Sequence, residues 1–240
     1  MNITNFIYAL ESYMIDFEKV IESSNLISPY VIDDIVKIND INKNATLYPV
    51  YVILYEGHTL LSTIIKKITH SRFSHASISF DLSMQYIFSF GEHNVEINKN
   101  KRGLKIENFV DKDPTITDLT GYRLYVTFVP ENVYKKMKNK LNSIIENQTA
   151  MKFNFNGLIR QIFNIEHEDT NKMFCSQFVA TILKSGNENI ISTSSSITKP
   201  SDFTQFDNFY RVCGGYVGDY DRKYAERKVK EIYKKKILNE

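Results

Sequence analysis

The 240-residue sequence predicts an α+β domain, on three observations. Apolar residues recur at spacings of three and four in some segments and at every second position in others, so amphipathic helices and half-buried strands are both expected. These segments follow one another as helix, strand, helix, several strands and then helices, not as a strict β-α-β alternation. Two strand-like runs, "SHASISFD" and "MQYIFSFGEHN", meet through the short polar stretch "DLSM", which is the pattern of an antiparallel hairpin.

The elements follow in order. Phe6, Ile7, Leu10, Met14, Phe17, Val20 and Ile21 lie on one face of an N-terminal amphipathic helix, broken at Ser23, Ser24 and Pro29. The polar connector "DINKNAT" leads to "YPVYVILYEG", a β-branched and aromatic run that reads as a buried strand ending at Gly57. Leu60, Leu61, Ile64, Ile65 and Ile68 in "HTLLSTIIKKIT" share a helical face. His75, Ser77 and Ser79 alternate with Ala76, Ile78 and Phe80, which places the histidine and both serines on one face of a strand. The next strand is expected to close at Gly91. "TGYRLYVTFVP" is a strand stopped by Pro130, and "ENVYKKMKNKLNSIIENQ" is a helix with Val133, Met137, Leu141, Ile144 and Ile145 on one side. "NKMFCSQFVATILKSG" starts a helix near Cys175 and offers Gly186 as its C-cap. After the polar loop "STSSSITKPSD", Cys213 is expected to pack in a strand, with Gly214 and Gly215 marking a turn or a close backbone approach. A Lys-rich helix ends the chain; its Glu226 and Glu231 make it read as a solvated face. The predicted division is a helical extension over 1–46, the main domain over 47–218 and the terminal helix over 219–240.

Composition narrows the function classes. Hydrophobic residues at 42% and charged residues at 24% suit an ordinary folded domain, and a formal net charge of +2 is too small to argue for a nucleic-acid partner. Two cysteines far apart make no disulfide framework and no C-x-x-C zinc spacing. The N-terminus carries Glu11, Asp16 and Glu18 and lacks a basic leader, so no signal peptide is expected. No apolar run reaches the roughly eighteen residues that span a bilayer, so no integral membrane segment is expected either, and the reducing cytoplasm is the expected compartment. There is no Gly-rich phosphate loop, and His70, His75, His93 and Cys175 show no recognised metal-ligand spacing. Neither cofactor nor metal is expected, and nothing in the sequence fixes an oligomeric state.

Chemistry concentrates on two residues. A thiol in the first turn of a helix faces unpaired N–H groups and the positive end of the helix dipole, both of which favour the nucleophilic thiolate. A free cysteine is also a common buried hydrophobe, so Cys175 alone decides nothing. Among the five histidines, His75 is the one set on a strand beside small polar neighbours, where its ring could act as the base a cysteine hydrolase needs.

"ITHSRFSHASISFD" at 68–81 resembles the segment around the catalytic histidine of circularly permuted papain-like hydrolases, the YiiX-like branch of the NlpC superfamily, which is related to lecithin retinol acyltransferase-like proteins. "YVILYEGHTLLSTIIKKIT" matches the strand and short helix that precede that histidine, and "MFCSQFVATIL" matches the aromatic-Cys-Ser-x-aromatic start of the cysteine helix. The order, histidine before cysteine, is the permuted one. The resemblance covers roughly Tyr51 to Val217. It implies a small antiparallel sheet packed on the Cys175 helix. It also implies a cysteine hydrolase or acyltransferase that cleaves amide, ester or thioester bonds of a peptide or acyl-containing substrate, or a non-catalytic docking module on the same fold. Cys175 would be the nucleophile, and His75 the base.

The resemblance also implies a third polar residue, on the strand after the histidine strand, to orient the imidazole. Ser89 lies nearest the expected position, Glu92 lies just past it, and Glu107 in "LKIENF" is a further alternative; Glu92 is the narrow preference, because a carboxylate stabilises the imidazolium better than a serine. The backbone N–H of Cys175 would serve the oxyanion. In "KFNFNG", Phe153 and Phe155 stand where a second, hydroxyl donor would be sought.

Overall fold

Six strands form one antiparallel sheet, in a computed structural model that describes residues 47–57, 62–63, 66, 71–93, 101–109, 116–148, 150–162, 164–166, 169 and 171–237. The predicted N-terminal helix lies outside the described residues. At the centre, β1 (Leu47–Tyr55) pairs along its whole length with β5 (Gly121–Pro130), from Leu47 opposite Pro130 to Tyr55 opposite Tyr122. On its other side β1 pairs with β2 (His75–Ser79), Tyr55 opposite His75 and Tyr51 opposite Ser79. Both faces of β1 are buried, Val50, Val52 and Leu54 in one core and Tyr51, Ile53 and Tyr55 in the other, which is why "VYVILY" reads as a continuous apolar run. Residues 62, 63 and 66, within the predicted first helix of the main domain, are helical.

The hairpin is present: β2 and β3 (Ile87–His93) are antiparallel, with Ile78 opposite Phe88 and Ser79 opposite Ile87. Gly91 does not close β3, which continues to His93. One strand was not legible in the sequence, β4 (Lys101–Glu107), which pairs with β3 from Ile87 opposite Glu107 to His93 opposite Lys101. At the far edge β8 (Tyr210–Tyr216) joins β5, as predicted for the Cys213 segment. A Cβ at Gly214 would lie 2.8 Å from the Tyr122 carbonyl oxygen, so glycine is needed there for the close approach and not for a turn. A two-residue parallel ladder of β6 (Lys152–Phe153) and β7 (Lys172–Met173) stands apart from the main sheet.

The sheet buries both faces. On one, Val50, Val52, Leu54, Ala76, Ile78, Phe88, Phe90 and Leu104 form a core with α1 (Glu131–Glu146) and α3 (Cys175–Gly186). Helix α1 contributes Met137, Leu141, Ile144 and Ile145 from its predicted stripe, while α3 contributes Phe178, Val179, Ile182 and Leu183. The Phe178 ring lies 5.4 Å from that of Phe90, centroid to centroid. Gly186 ends α3 without a left-handed conformation, contrary to the C-cap expectation; a Cβ there would meet Met137 Cγ at 2.7 Å, so it is the close approach of α1 that requires glycine. On the opposite face Tyr51, Ile53, Tyr55, Ile87, Tyr122, Leu124 and Val126 pack with Val212, Ala225 and Val229. The last two belong to α4 (Arg222–Ile232), so the Lys-rich terminal helix, read as a solvated face, also closes the second core. Helix α2 (Phe155–Ile162) follows β6 and has no counterpart among the predicted elements.

Phe178 anchors the cysteine helix to the sheet. Its replacement by alanine should lower unfolding free energy by about 3–5 kcal/mol in urea titrations, as expected for a fully buried aromatic. A loss below about 1 kcal/mol would mean that α3 is held elsewhere.

Candidate active site

Cys175 is the first residue of α3. Phe174 before it is extended, at φ −113° and ψ 170°, and accepts the first helical hydrogen bond from Phe178 N–H. The helix has no side-chain N-cap, so its start presents backbone N–H groups instead of a capping oxygen. Upstream, the Asn154 N–H donates to the Met173 carbonyl at 2.8 Å, extending the β6–β7 ladder toward the cysteine. Behind it, Gln161 Nε2 donates to Ser176 Oγ at 3.0 Å and to the Thr198 carbonyl, tying the helix start to the serine-rich loop. Cys175 is 6% exposed.

Helix α3 packs on β2 and β3. Among the described residues the β2–β3 ladder stops at Ile78, leaving the Ala76 N–H to donate to the Cys175 sulfur. The Ser176 N–H also donates to the sulfur, and the His75 ring hydrogen-bonds it. On its other side His75 Nε2 lies 2.7 Å from Glu107 Oε1, which leaves Nδ1 for the sulfur. The Tyr55 ring, 5.7 Å away between centroids, flanks the imidazole.

Glu107 is fully buried, yet its carboxylate is well partnered. Oε1 accepts from Ser89 Oγ at 2.7 Å and faces Lys105 Nζ at 3.3 Å, while Oε2 accepts from Ser77 Oγ at 2.6 Å. His75 and Glu107 stand on β2 and β4, separated by β3 and so by roughly 10 Å of backbone. They meet over β3 because its residues beneath them are small. A Cβ at Gly91 would come within 3.3 Å of His75 Cε1 and 3.7 Å of Lys105 Cε.

The electrostatics follow from this arrangement. Burial alone would push the Glu107 carboxyl up, but the Lys105 charge, then that of His75, then hydrogen bonds from His75 and Ser77, hold it far below the usual carboxylate range. Burial would lower His75, and is overcome by Glu107, by the Cys175 charge and by hydrogen bonds to both, raising it to about 10. Burial would raise Cys175; the His75 charge, its hydrogen bond and the Ala76 and Ser176 N–H groups bring the thiol below its ordinary value. Together these shifts favour the thiolate–imidazolium form of the pair.

The structure brings Cys175 and His75 together and places Glu107, the further alternative, against the imidazole. Ser89, expected to touch the imidazole, instead supports Glu107 from behind. Of Glu92 the backbone is described, opposite Arg102 in the β3–β4 ladder, while its side chain lies outside the described residues. Phe153 is buried in the core, and Asn154 beside it caps α2, its Oδ1 accepting from Gly157 N–H at 2.8 Å. Lys105, Ser77 and Gln161 were missed as site residues. A signal existed for the first: in "LKIE", Leu104 and Ile106 alternate with Lys105 and Glu107, a period of two that puts both charges on one strand face.

Among the described residues no three His, Cys, Asp or Glu side chains converge to hold a metal ion, and no helix is long and apolar enough to cross a membrane. No family model matches the chain, and no curated protein is significantly similar to it.

Two outcomes follow from this geometry. His75 binds its proton more tightly in the folded protein, so its stabilisation is complete below its ordinary pKa of 6.5 and is lost as pH rises through about 10. In urea titrations the stability gap between wild type and His75→Gln should therefore be widest near pH 6 and shrink steadily toward pH 10; a gap independent of pH would contradict the assignment. Gly91→Val should keep β3, since valine suits a strand. It should nevertheless displace the imidazole, lowering the NMR-measured pKa of His75 by about one unit or more, the size expected when one charge contact is loosened.

Proposed function

We propose that this chain is a thiol-dependent hydrolase or acyltransferase acting on a carbonyl bonded to nitrogen, oxygen or sulfur. The observation that carries this reading is the continuous chain from sulfur to carboxylate, in which Cys175 hydrogen-bonds His75 and His75 Nε2 lies 2.7 Å from the buried Glu107. That is the order of nucleophile, base and orienting group required for covalent catalysis at a carbonyl.

The steps balance with these groups. The Cys175 thiolate adds to the carbonyl carbon, and the oxygen takes up the negative charge against the Cys175 N–H at the helix start. On collapse, the bond to the leaving amine, alcohol or thiol breaks, and the His75 imidazolium gives that group its proton. Neutral His75 then removes a proton from water, or from another acceptor, which attacks the thioester; the acyl group leaves on that acceptor, and Cys175 departs as the thiolate beside the protonated His75, restoring the starting pair. Glu107 holds the ring in position throughout.

The fold supports the same reading. A permuted papain-like domain places a histidine strand early and a cysteine helix late against one antiparallel sheet, and His75 on β2 and Cys175 on α3 follow that order. Peptide or isopeptide amides are the substrates that the resemblance implies first, with lipid or acyl esters second.

The test is the pH dependence of iodoacetamide alkylation. Cys213 serves as internal control, since burial raises its pKa and its sulfur lies 3.6 Å from Tyr122 Oη. Cys175 should alkylate readily below the free-thiol pKa of about 8.5. His75→Ala should abolish that advantage, and Glu107→Gln should reduce it at least about tenfold, the loss of roughly one pKa unit of thiolate stabilisation. Mass spectrometry should then trap an acyl adduct on Cys175 from a panel of peptide amides and acyl esters. If Cys175 titrates like Cys213 in every variant, the protein is not a cysteine hydrolase.

A further inference from the structure

The hydrogen bonds around Glu107 raise a question that the proposed reaction makes acute. While His75 is protonated, its charge offsets that of the buried carboxylate. In the half of the cycle after the proton has gone to the leaving group, His75 is neutral. A carboxylate with no exposed surface and no opposing charge is then costly, and it would draw a proton back to the imidazole or onto itself.

We infer that Lys105 is a positioning residue of this site: its ammonium, 3.3 Å from Glu107 Oε1 and 5% exposed, keeps the carboxylate charged while His75 is neutral, and so lets the imidazole release its proton. The inference rests on the proposed role of His75 as a proton carrier. Three observations support it. Lys105 exerts the largest favourable charge on Glu107, ahead of His75 itself. The contact is made at Oε1, the same oxygen that His75 and Ser89 touch, so the lysine competes directly with the imidazolium for it. The lysine stem and the imidazole both pass over Gly91, where a Cβ would lie 3.7 Å from Lys105 Cε and 3.3 Å from His75 Cε1.

With Lys105 in place, the group of Lys105, Glu107 and neutral His75 carries no net charge, and the same holds when the proton sits on His75 and is matched by the Cys175 thiolate. The lysine therefore leaves both protonation states electrically balanced, and it limits how tightly the imidazole holds its proton. Among the described residues, the groups facing His75 and Glu107 are Tyr55 from β1, Ser77 from β2, Ser89 and Gly91 from β3, Lys105 from β4 and Cys175 from α3. Lys105 is the cation among them.

The experiment is an NMR titration of the His75 ring, carried out on the full chain with wild type, Lys105→Met, Lys105→Gln and Lys105→Arg. In wild type the proton should leave His75 near pH 10. Lys105→Met and Lys105→Gln should raise that step by about one unit, a tenfold gain in proton affinity, while Lys105→Arg keeps it near wild type. A step that stays put or falls when the charge is removed overturns the inference. Should Lys105→Met fail to fold, the Gln and Arg variants decide: both keep a hydrogen-bond donor and differ in charge, so equal steps in the two also overturn it. The readout needs no turnover. A step that rises with no acyl adduct on Cys175 sinks the hydrolase reading and leaves the charge assignment intact; an adduct without the rise does the reverse.

Discussion

A fully buried carboxylate is the constraint around which the site is built. Leaving an isolated charge in a protein interior costs several kcal/mol, so Glu107 persists as an anion only while its neighbours satisfy it. Those neighbours come from three strands: His75 and Ser77 from β2, Ser89 from β3 and Lys105 from β4 itself. The requirement is one of register. A slip of one residue between any two of these strands would move every partner to the opposite face and leave the carboxylate unpaired. The Ile87–Glu107 and Ile78–Phe88 pairings are therefore conditions for the charge network as well as consequences of core packing.

The cysteine reaches this network from the other layer. Helix α3 is buried against the sheet face that carries Ala76, Phe88 and Phe90, whereas His75 belongs by alternation to the opposite face. The two meet because His75 begins its strand and Cys175 begins its helix, so both lie at the rim of the layers, where the β2–β3 ladder has ended. An edge of unpaired strand is usually a liability. Here the Ala76 N–H that the shortened ladder releases is taken by the sulfur. Helix start, strand end and interrupted ladder coincide at one point, and the same donors that satisfy the backbone also favour the thiolate.

How much of this the sequence disclosed depends on the distance over which each signal acts. Cys175 and His75 were legible because each is marked by its own local period, an apolar stripe beginning at the cysteine and an alternation running through the histidine. The sheet class, the hairpin, β5 and α1 were legible for the same reason. Helix α2 escaped, as did β4: its opening "KRG" lacks apolar alternation, and only Leu104 and Ile106 carry the strand period. Without β4, nothing placed Glu107 on a strand beside the histidine, and it stayed a further alternative behind Glu92. Gly91 and Gly186 were read as punctuation. Their reasons are tertiary, room for an imidazole in one case and the close approach of α1 in the other.

The general point lies in what sits between histidine and carboxylate. Orienting groups are naturally sought on the strand adjacent to the base, because neighbouring strands lie about 4.8 Å apart and a short side chain can cross that gap. In this sheet the adjacent strand supplies small residues instead, Ser89 and Gly91, and the carboxylate comes from one strand further out. Glutamate, with one methylene more than aspartate, suits that longer reach, and the second strand also brings Lys105 to the same oxygen. The arrangement therefore trades a direct neighbour for a carboxylate whose charge is held by a second cation. Shortening Glu107 to aspartate would sacrifice the contact to His75 while leaving the space above Gly91 unchanged, whereas enlarging Gly91 would close that space with every charged group still in place. Length at 107 and emptiness at 91 are thus two halves of one geometric condition, and neither is visible until the strand order is known.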